Sequence, residues 1–260
     1  MVKRSQGMAV LLMMLVIVSL FLSACKQQGD KKKEILVGAA ASLKHVMEQI
    51  KENYEKREED ITLEFTYGSS GTLEQQIRQG APIDVFLSAS LKQIQSLEKD
   101  HYLIEETVTD LMENRIVLIV PSDSGISLSS FEEVTGLSKI AIGDPDSVPA
   151  GKYACEVFDY YGVLEEAKNI AAYGKDVTEV LTWVSSGNVE AGVVYATDAA
   201  TTDQVTVALV APEESHSKVI YPAGVVEGSK QEEAAKDFLQ YLTSEEAQRV
   251  FEEYGFIPIG

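Results

Sequence analysis

The chain predicts an α/β fold built in two lobes. Three observations carry that expectation. From residue 34 to about 100, apolar runs with strand character alternate with segments of helical apolar spacing, the pattern of a parallel sheet with crossover helices. A second strand-and-helix set follows beyond residue 120. Two extended runs, 115–120 and 219–226, sit where the sets meet and read as crossings between lobes. These place lobe I at 34–117 plus 222–260 and lobe II at 118–221.

Glu34 to Ala41 is the first predicted strand. A helix is expected from Ser42, because Leu43, Val46, Met47, Ile50 and Tyr54 recur at intervals of three and four. Ile61 to Tyr67 alternates apolar and polar residues as a strand does; Leu73 and Ile77 share a helix face that stops near Gly80. Ile83 to Ser88 is a short strand, and Leu91, Ile94 and Leu97 mark the inward face of the next helix. Arg115 to Val120 is strongly β-branched and ends at Pro121. In the second set, helices are expected at 131–137, 151–161 and 177–184, and strands at 139–143, 191–195 and 205–210. Lys218 to Val226 is extended and broken by Pro222. Two helices close the chain and return to lobe I. The last is expected to open at Thr243, which stands three residues before Glu246 in capping-box spacing and leads to Val250, Phe251 and Tyr254 before Gly255.

The first residues do not belong to either lobe. Lys3 and Arg4 precede an apolar run from Met8 to Leu22, too short for a typical membrane span and suited to a secretory signal peptide over 1–24. Leu22-Ser23-Ala24-Cys25 resembles a bacterial lipobox, which implies cleavage before Cys25 and lipid attachment there. Residues 25–33 then read as a polar tether. The formal net charge is −19 and becomes more negative once Lys3 and Arg4 leave. That balance argues against nucleic acid as a partner and repels small anions at long range. An anion site here has to work through local, oriented donors. With Cys25 acylated, Cys155 has no internal partner and reads as an inert thiol on an apolar helix face.

Several strand-to-helix junctions could hold such donors. Ala40-Ala41-Ser42-Leu43 and Gly68-Ser69-Ser70-Gly71-Thr72 each carry serine where a helix begins. A serine there can cap the helix, or can join the free N–H groups of the first turn in facing an anion. The segment from Gly143 to Lys152 superficially matches a phosphate loop. Seven residues separate Gly143 from Gly151 where the motif has four, and Tyr153 replaces its Ser or Thr. What remains is a helix start with exposed N–H groups near Ala150. Another start lies at Asp176-Val177, and Tyr195 ends a strand at the edge where ligands of open α/β sheets sit.

In these segments the chain resembles the molybdate-binding proteins of bacterial molybdate ABC transporters, receptors of the periplasmic-binding-protein type. The likeness runs from about Ile35 to Ile257. Its marks are Ala40-Ala41-Ser42-Leu43, Gly68-Ser69-Ser70-Gly71-Thr72-Leu73, Gly80-Ala81-Pro82-Ile83-Asp84-Val85-Phe86, Gly143-Asp144-Pro145, Val148-Pro149-Ala150-Gly151, Val193-Val194-Tyr195 and Tyr254-Gly255-Phe256. The resemblance implies a type II two-lobed fold, each lobe a mostly parallel sheet flanked by helices, with the ligand cleft between them. It implies an oxyanion held without a cation: hydroxyl and N–H from Ser42 and Ser70, N–H from Ala150 and Val177, and hydroxyl from Tyr195. Gly71 departs from the serine often found there. The ligand implied is molybdate or tungstate, with no cofactor and no metal bound as a cation. The partners implied are an ABC permease and its ATPase, and the protein is expected as an extracytoplasmic, lipid-anchored monomer and not an enzyme.

Two other readings are weighed beside this one. A receptor for a different oxyanion, such as sulfate, keeps the donors and changes the cavity size. A secreted serine hydrolase would need a nucleophile elbow, but Thr72 stands where Gly68-Ser69-Ser70-Gly71 needs its second glycine. The three histidines, His45, His101 and His216, all fall in polar surroundings.

Overall fold

The computed structural model describes residues 32–259. The expected leader 1–24, Cys25 and all but the last two tether residues lie outside the described residues. In lobe I, β1 (Lys33–Ala40) runs through a 3-10 turn (Ala41–Leu43) into α1 (Lys44–Arg57). The helix starts later than the sequence suggests, because Ser42 sits in the tighter turn. Then come β2 (Ile61–Gly68), α2 (Ser70–Arg78), β3 (Val85–Leu87), α3 (Leu91–Lys99) and β4 (Thr109–Glu113). Lobe II begins with β5 (Ile116–Pro121) and continues through β6 (Ile140–Gly143), α4 (Pro149–Tyr160), α5 (Leu164–Ile170) and β7 (Ala171–Gly174). It closes with α6 (Val177–Ser185), β8 (Ala191–Tyr195), the single turn α7 (Ala196–Ala199) and β9 (Val205–Val210). The chain returns to lobe I as β10 (Ile220–Val225), α8 (Glu232–Leu242), α9 (Glu245–Glu253) and β11 (Ile257–Pro258).

Each lobe holds one sheet, in the orders β11-β4-β10-β3-β1-β2 and β7-β6-β8-β5-β9. Both are mixed, which corrects the expectation of mostly parallel sheets. β1 is parallel to β2 and β3, and β6 to β7 and β8. β10, β4 and β11 add antiparallel pairs in lobe I, and β5 adds two in lobe II. The reason is topological. A strand arriving from the other lobe needs no crossover helix and can enter against its neighbour's direction.

The passages between sheets lie at Asn114–Arg115 and before Ile220, so the expected boundaries at 117/118 and 221/222 both cut through a strand. Ile116 to Val120 is continuously buried and belongs wholly to lobe II; the polar break is Asn114. There the two passages meet, with Asn114 N–H donating to Val219 C=O at 3.0 Å.

The lobe I sheet is covered on both faces. Leu73, Ile77, Ile94 and Leu97 of α2 and α3 close over Phe86 and Ile83 on one side. Val46, Met47, Ile50 and Tyr54 of α1 meet Phe238 and Leu242 of α8 on the other. Tyr54 packs edge-to-face on Phe238, ring centroids 5.0 Å apart, a geometry that adds to simple area burial. The last helix begins one residue later than the spacing of Thr243 and Glu246 implies. Ser244 caps it by accepting from Ala247 N–H, while Thr243 Oγ1 donates back to Gln240 C=O and closes α8.

Candidate functional site

Strand register alone brings the two serines together. Ala40 at the end of β1 pairs with Gly68 at the end of β2, and Ser42 and Ser70 each follow two residues later. Leu87 of β3 pairs with Ala39 of β1, which puts Ala89 beside them. In lobe II, Gly143 pairs with Gly174, so the starts of α4 and α6 share one edge, and Tyr195 ends the neighbouring β8. Both groups lie at the C-terminal ends of parallel strands, where the free N–H groups of the following helices gather.

The two edges face each other across a closed cleft. Gly71 N–H of lobe I donates to Ser147 C=O of lobe II at 3.0 Å. A Cβ on Gly71 would stand 2.6 Å from that oxygen, which no side chain tolerates. Serine in its place would therefore prevent this closure; glycine permits the backbones to touch. A second glycine pair shapes the lobe II rim. Gly151 at the start of α4 rests directly on Gly143 at the end of β6, where a Cβ would lie 1.9 Å from the Gly143 carbonyl oxygen.

Between the lobes lies one small cavity. Ser42, Ser70, Val177 and Tyr195 line it, together with Ala40, Ala41, Gly68, Ser69, Ala89, Val148, Pro149 and Asp176. Ala150 is not in the lining. It is fully buried one residue behind Pro149, and only its backbone N–H, free in the first turn of α4, is placed to contribute. The centre of a water-sized sphere has about 10 Å3 in which to move, room on the scale of one compact solute.

The serines divide the work of the second junction. Ser69 is the cap of α2: its Oγ accepts from Thr72 N–H at 3.2 Å. That leaves Ser70 free of capping, and its Oγ instead accepts from Ala89 N–H at 2.9 Å. Ser42 caps nothing either; its Oγ lies 2.9 Å from the Tyr221 hydroxyl. Tyr195 is buried and its hydroxyl has no hydrogen-bond partner among the described residues, a costly arrangement unless a ligand accepts from it. Burial pushes the phenols of Tyr195 and Tyr221 well above their ordinary range, so both keep their protons.

Among the described residues no lysine, arginine or histidine lines the cavity, and Asp176 is its one charged residue. Asp176 Oδ1 is occupied as the cap of α6, accepting from Glu179 N–H at 2.9 Å. Behind Tyr195, the buried Asp198 accepts from the Tyr195 backbone N–H. Burial pushes the Asp198 carboxyl up to about 7; that hydrogen bond works against the rise and the charge of Asp176 adds to it. The site can thus offer hydroxyl and amide protons and little else. Ser70 also lacks the imidazole a nucleophile needs, since its hydroxyl partner is a backbone amide and His45 is exposed. Cys155 is half-buried, with its thiol pushed up by burial, and lies outside the cavity.

Comparison with known proteins places the chain in a family. Residues 35–257 match the family model of the bacterial extracellular solute-binding proteins. The chain belongs to that family. Its sequence is 42% identical over 228 residues, 88% of each chain, to a Bacillus subtilis protein named as an ABC transporter substrate-binding lipoprotein. It is 36% identical to the molybdate-binding protein of Haemophilus influenzae, over 86% of this chain and 89% of that one. A solved substrate-binding domain from Clostridium difficile, titled for a molybdenum ABC transporter, shares 42% identity with a TM-score of 0.68, covering 87% of this chain and 99% of the other. This solute-binding protein is accordingly of the molybdate-binding-protein type, a class of extracytoplasmic receptors rather than of enzymes.

Sequence reasoning missed Ala89, Tyr221 and Asn114, which touch the site serines or stand one bond behind them. Ser42 and Tyr221 are 179 residues apart, and no local pattern links them. Asp176 was legible in principle, as an aspartate directly before a helical run.

Proposed function

We propose that this solute-binding protein captures molybdate, takes tungstate by the same geometry, and delivers its ligand to an ABC permease and its ATPase. The observation that carries the reading is the unpartnered hydroxyl of Tyr195, which lines the same cavity as Ser42, Ser70 and the start of α6, a cavity that no cation among the described residues lines. Hydrogen bonds to a charged group contribute about 1.5–3 kcal/mol each, so several of them, less desolvation, reach micromolar affinity or better. The N-terminal ends of α4 and α6 add a favourable field. The small cavity favours a compact inorganic ion over a sugar or peptide. Its donors favour an ion that carries no proton of its own, because monohydrogen phosphate would need an acceptor. Lipid attached at Cys25 is the anchor that would hold the receptor at the membrane.

A thermal-shift series on the whole chain against molybdate, tungstate, sulfate and monohydrogen phosphate tests this. Molybdate and tungstate should raise Tm most, since ligand at a hundred times Kd stabilises by about 2.7 kcal/mol. Phosphate should leave it unchanged. A response to sulfate alone would transfer the assignment to the smaller ion, and no response to any dianion would end it.

A further inference from the structure

A hydroxyl has one proton, and an anion site works only if that proton faces the anion. At Ser70 the backbone ensures this. Its Oγ already accepts from Ala89 N–H, so its proton is left for the cavity. At Ser42 the neighbour is another hydroxyl, Tyr221, and either oxygen of that pair could donate.

A donor two residues farther out biases the direction. Asn114 Oδ1 accepts from Arg115 N–H at 2.8 Å, so the amide carbonyl must face that N–H and Nδ2 must face inward. Nδ2 lies 2.8 Å from Thr197 Oγ1 and 3.4 Å from the Tyr221 hydroxyl. With Asn114 donating to it, Tyr221 has its own single proton to give, and Ser42 Oγ at 2.9 Å is the acceptor the geometry supplies. Ser42 Oγ then accepts, and its proton turns to the cavity. Asn114 sits at the passage between lobes, and Tyr221 is held edge-to-face between Tyr195 and Phe256, at centroid distances of 5.6 and 5.4 Å.

We propose that Asn114 and Tyr221 are positioning residues, a one-way chain of hydrogen bonds that keeps Ser42 a donor and denies a protonated oxyanion its acceptor. The proposal deepens the oxyanion reading and rests on it. It assigns the discrimination between molybdate and monohydrogen phosphate to residues that never touch the ligand.

The test is a double-mutant cycle by calorimetric titration with molybdate, and with phosphate at pH 8 by competition. Tyr221→Phe keeps the ring and its aromatic contacts and removes only the oxygen. It should weaken molybdate binding about tenfold, and should reduce the preference for molybdate over phosphate by a similar factor. In the Ser42→Ala background the same substitution should cost nothing further. Additive losses, or an unchanged preference, overturn the proposal while leaving the oxyanion reading intact. If the unsubstituted protein binds neither molybdate, tungstate nor sulfate, both fall together. Asn114→Asp gives a second route, because a carboxylate takes the Tyr221 proton and reverses the chain. Both ligands are dianions, so the added charge cancels in the ratio of affinities, and that ratio must still fall.

Discussion

The two halves of the cavity solve one problem with different parts. Lobe I presents side chains: Ser42 and Ser70 line the cavity, Ser70 accepting from Ala89 N–H and Ser42 paired with the Tyr221 hydroxyl. Lobe II presents mainly backbone, the first turns of α4 and α6, with Tyr195 as its one hydroxyl. The contrast teaches where sequence matters. A backbone N–H survives most substitutions at its own position, whereas a hydroxyl is lost with a single atom. Lobe I is therefore the half that point mutation should break at either serine, whereas in lobe II, Tyr195 apart, only a change in backbone chemistry should reach the donors.

The largest effect is expected at Ser70. Ser70→Ala removes a donor to the ion and orphans the buried Ala89 N–H, so molybdate affinity should fall about a hundredfold and folding stability by about 1–3 kcal/mol. Calorimetry and urea melts measure the two parts separately. An unchanged affinity would erase the distinction between the halves. Val177 sharpens it from the other side. Val177→Ala keeps the N–H and should leave the dissociation constant within about threefold. Val177→Pro deletes it at the first position of α6, where proline is tolerated and where the extended Asp176 already suits a following proline. That variant should fold, by circular dichroism, yet bind at least about tenfold more weakly. Equal behaviour of the two variants would mean that lobe II does not bind through its backbone.

The smallest effect on binding is expected at Asp198, the buried acid behind the lobe II hydroxyl, whose influence falls on stability instead. Its carboxyl titrates near 7 in the folded chain and at an ordinary acidic value when unfolded. Between those values the native state holds a proton that the unfolded state has lost. This residue's contribution to stability thus falls as pH rises from about 4 to 7, by on the order of 4 kcal/mol, and is level on either side. Asp198→Asn keeps an acceptor for Tyr195 N–H and should flatten that share of the slope. Chemical denaturation of both forms from pH 4 to 8 should show their stabilities diverging toward the neutral end; parallel curves would place the titration elsewhere.

Much of the fold was legible because burial leaves a period. Val46, Met47, Ile50 and Tyr54 announced α1, and the Ile116 to Val120 run announced β5. Elements made by pairing rather than pattern were not legible. Ala171 to Gly174 has no alternation and becomes β7 only through its register with β6. Thr109 to Glu113 carries two acids and becomes β4 between β10 and β11. The site divides in the same way. Ser42, Ser70, Val177 and Tyr195 end strands or open helices, and those junctions are visible in one dimension. Tyr221 and Asn114 owe their place to contacts spanning 179 and 83 residues, which no local signal encodes.

Gly71 carries a last consequence, for timing. The bond from its N–H to Ser147 joins the two lobes directly, through atoms that no ligand supplies. On the proposed reading, opening the cleft along this edge breaks it, so part of the grip on a solute would come from how the protein grips itself. A transporter that pries the halves apart would meet this resistance whether the chamber is loaded or vacant. A single hydrogen atom, standing where other residues carry a β-carbon, sets how deeply the jaws can bite.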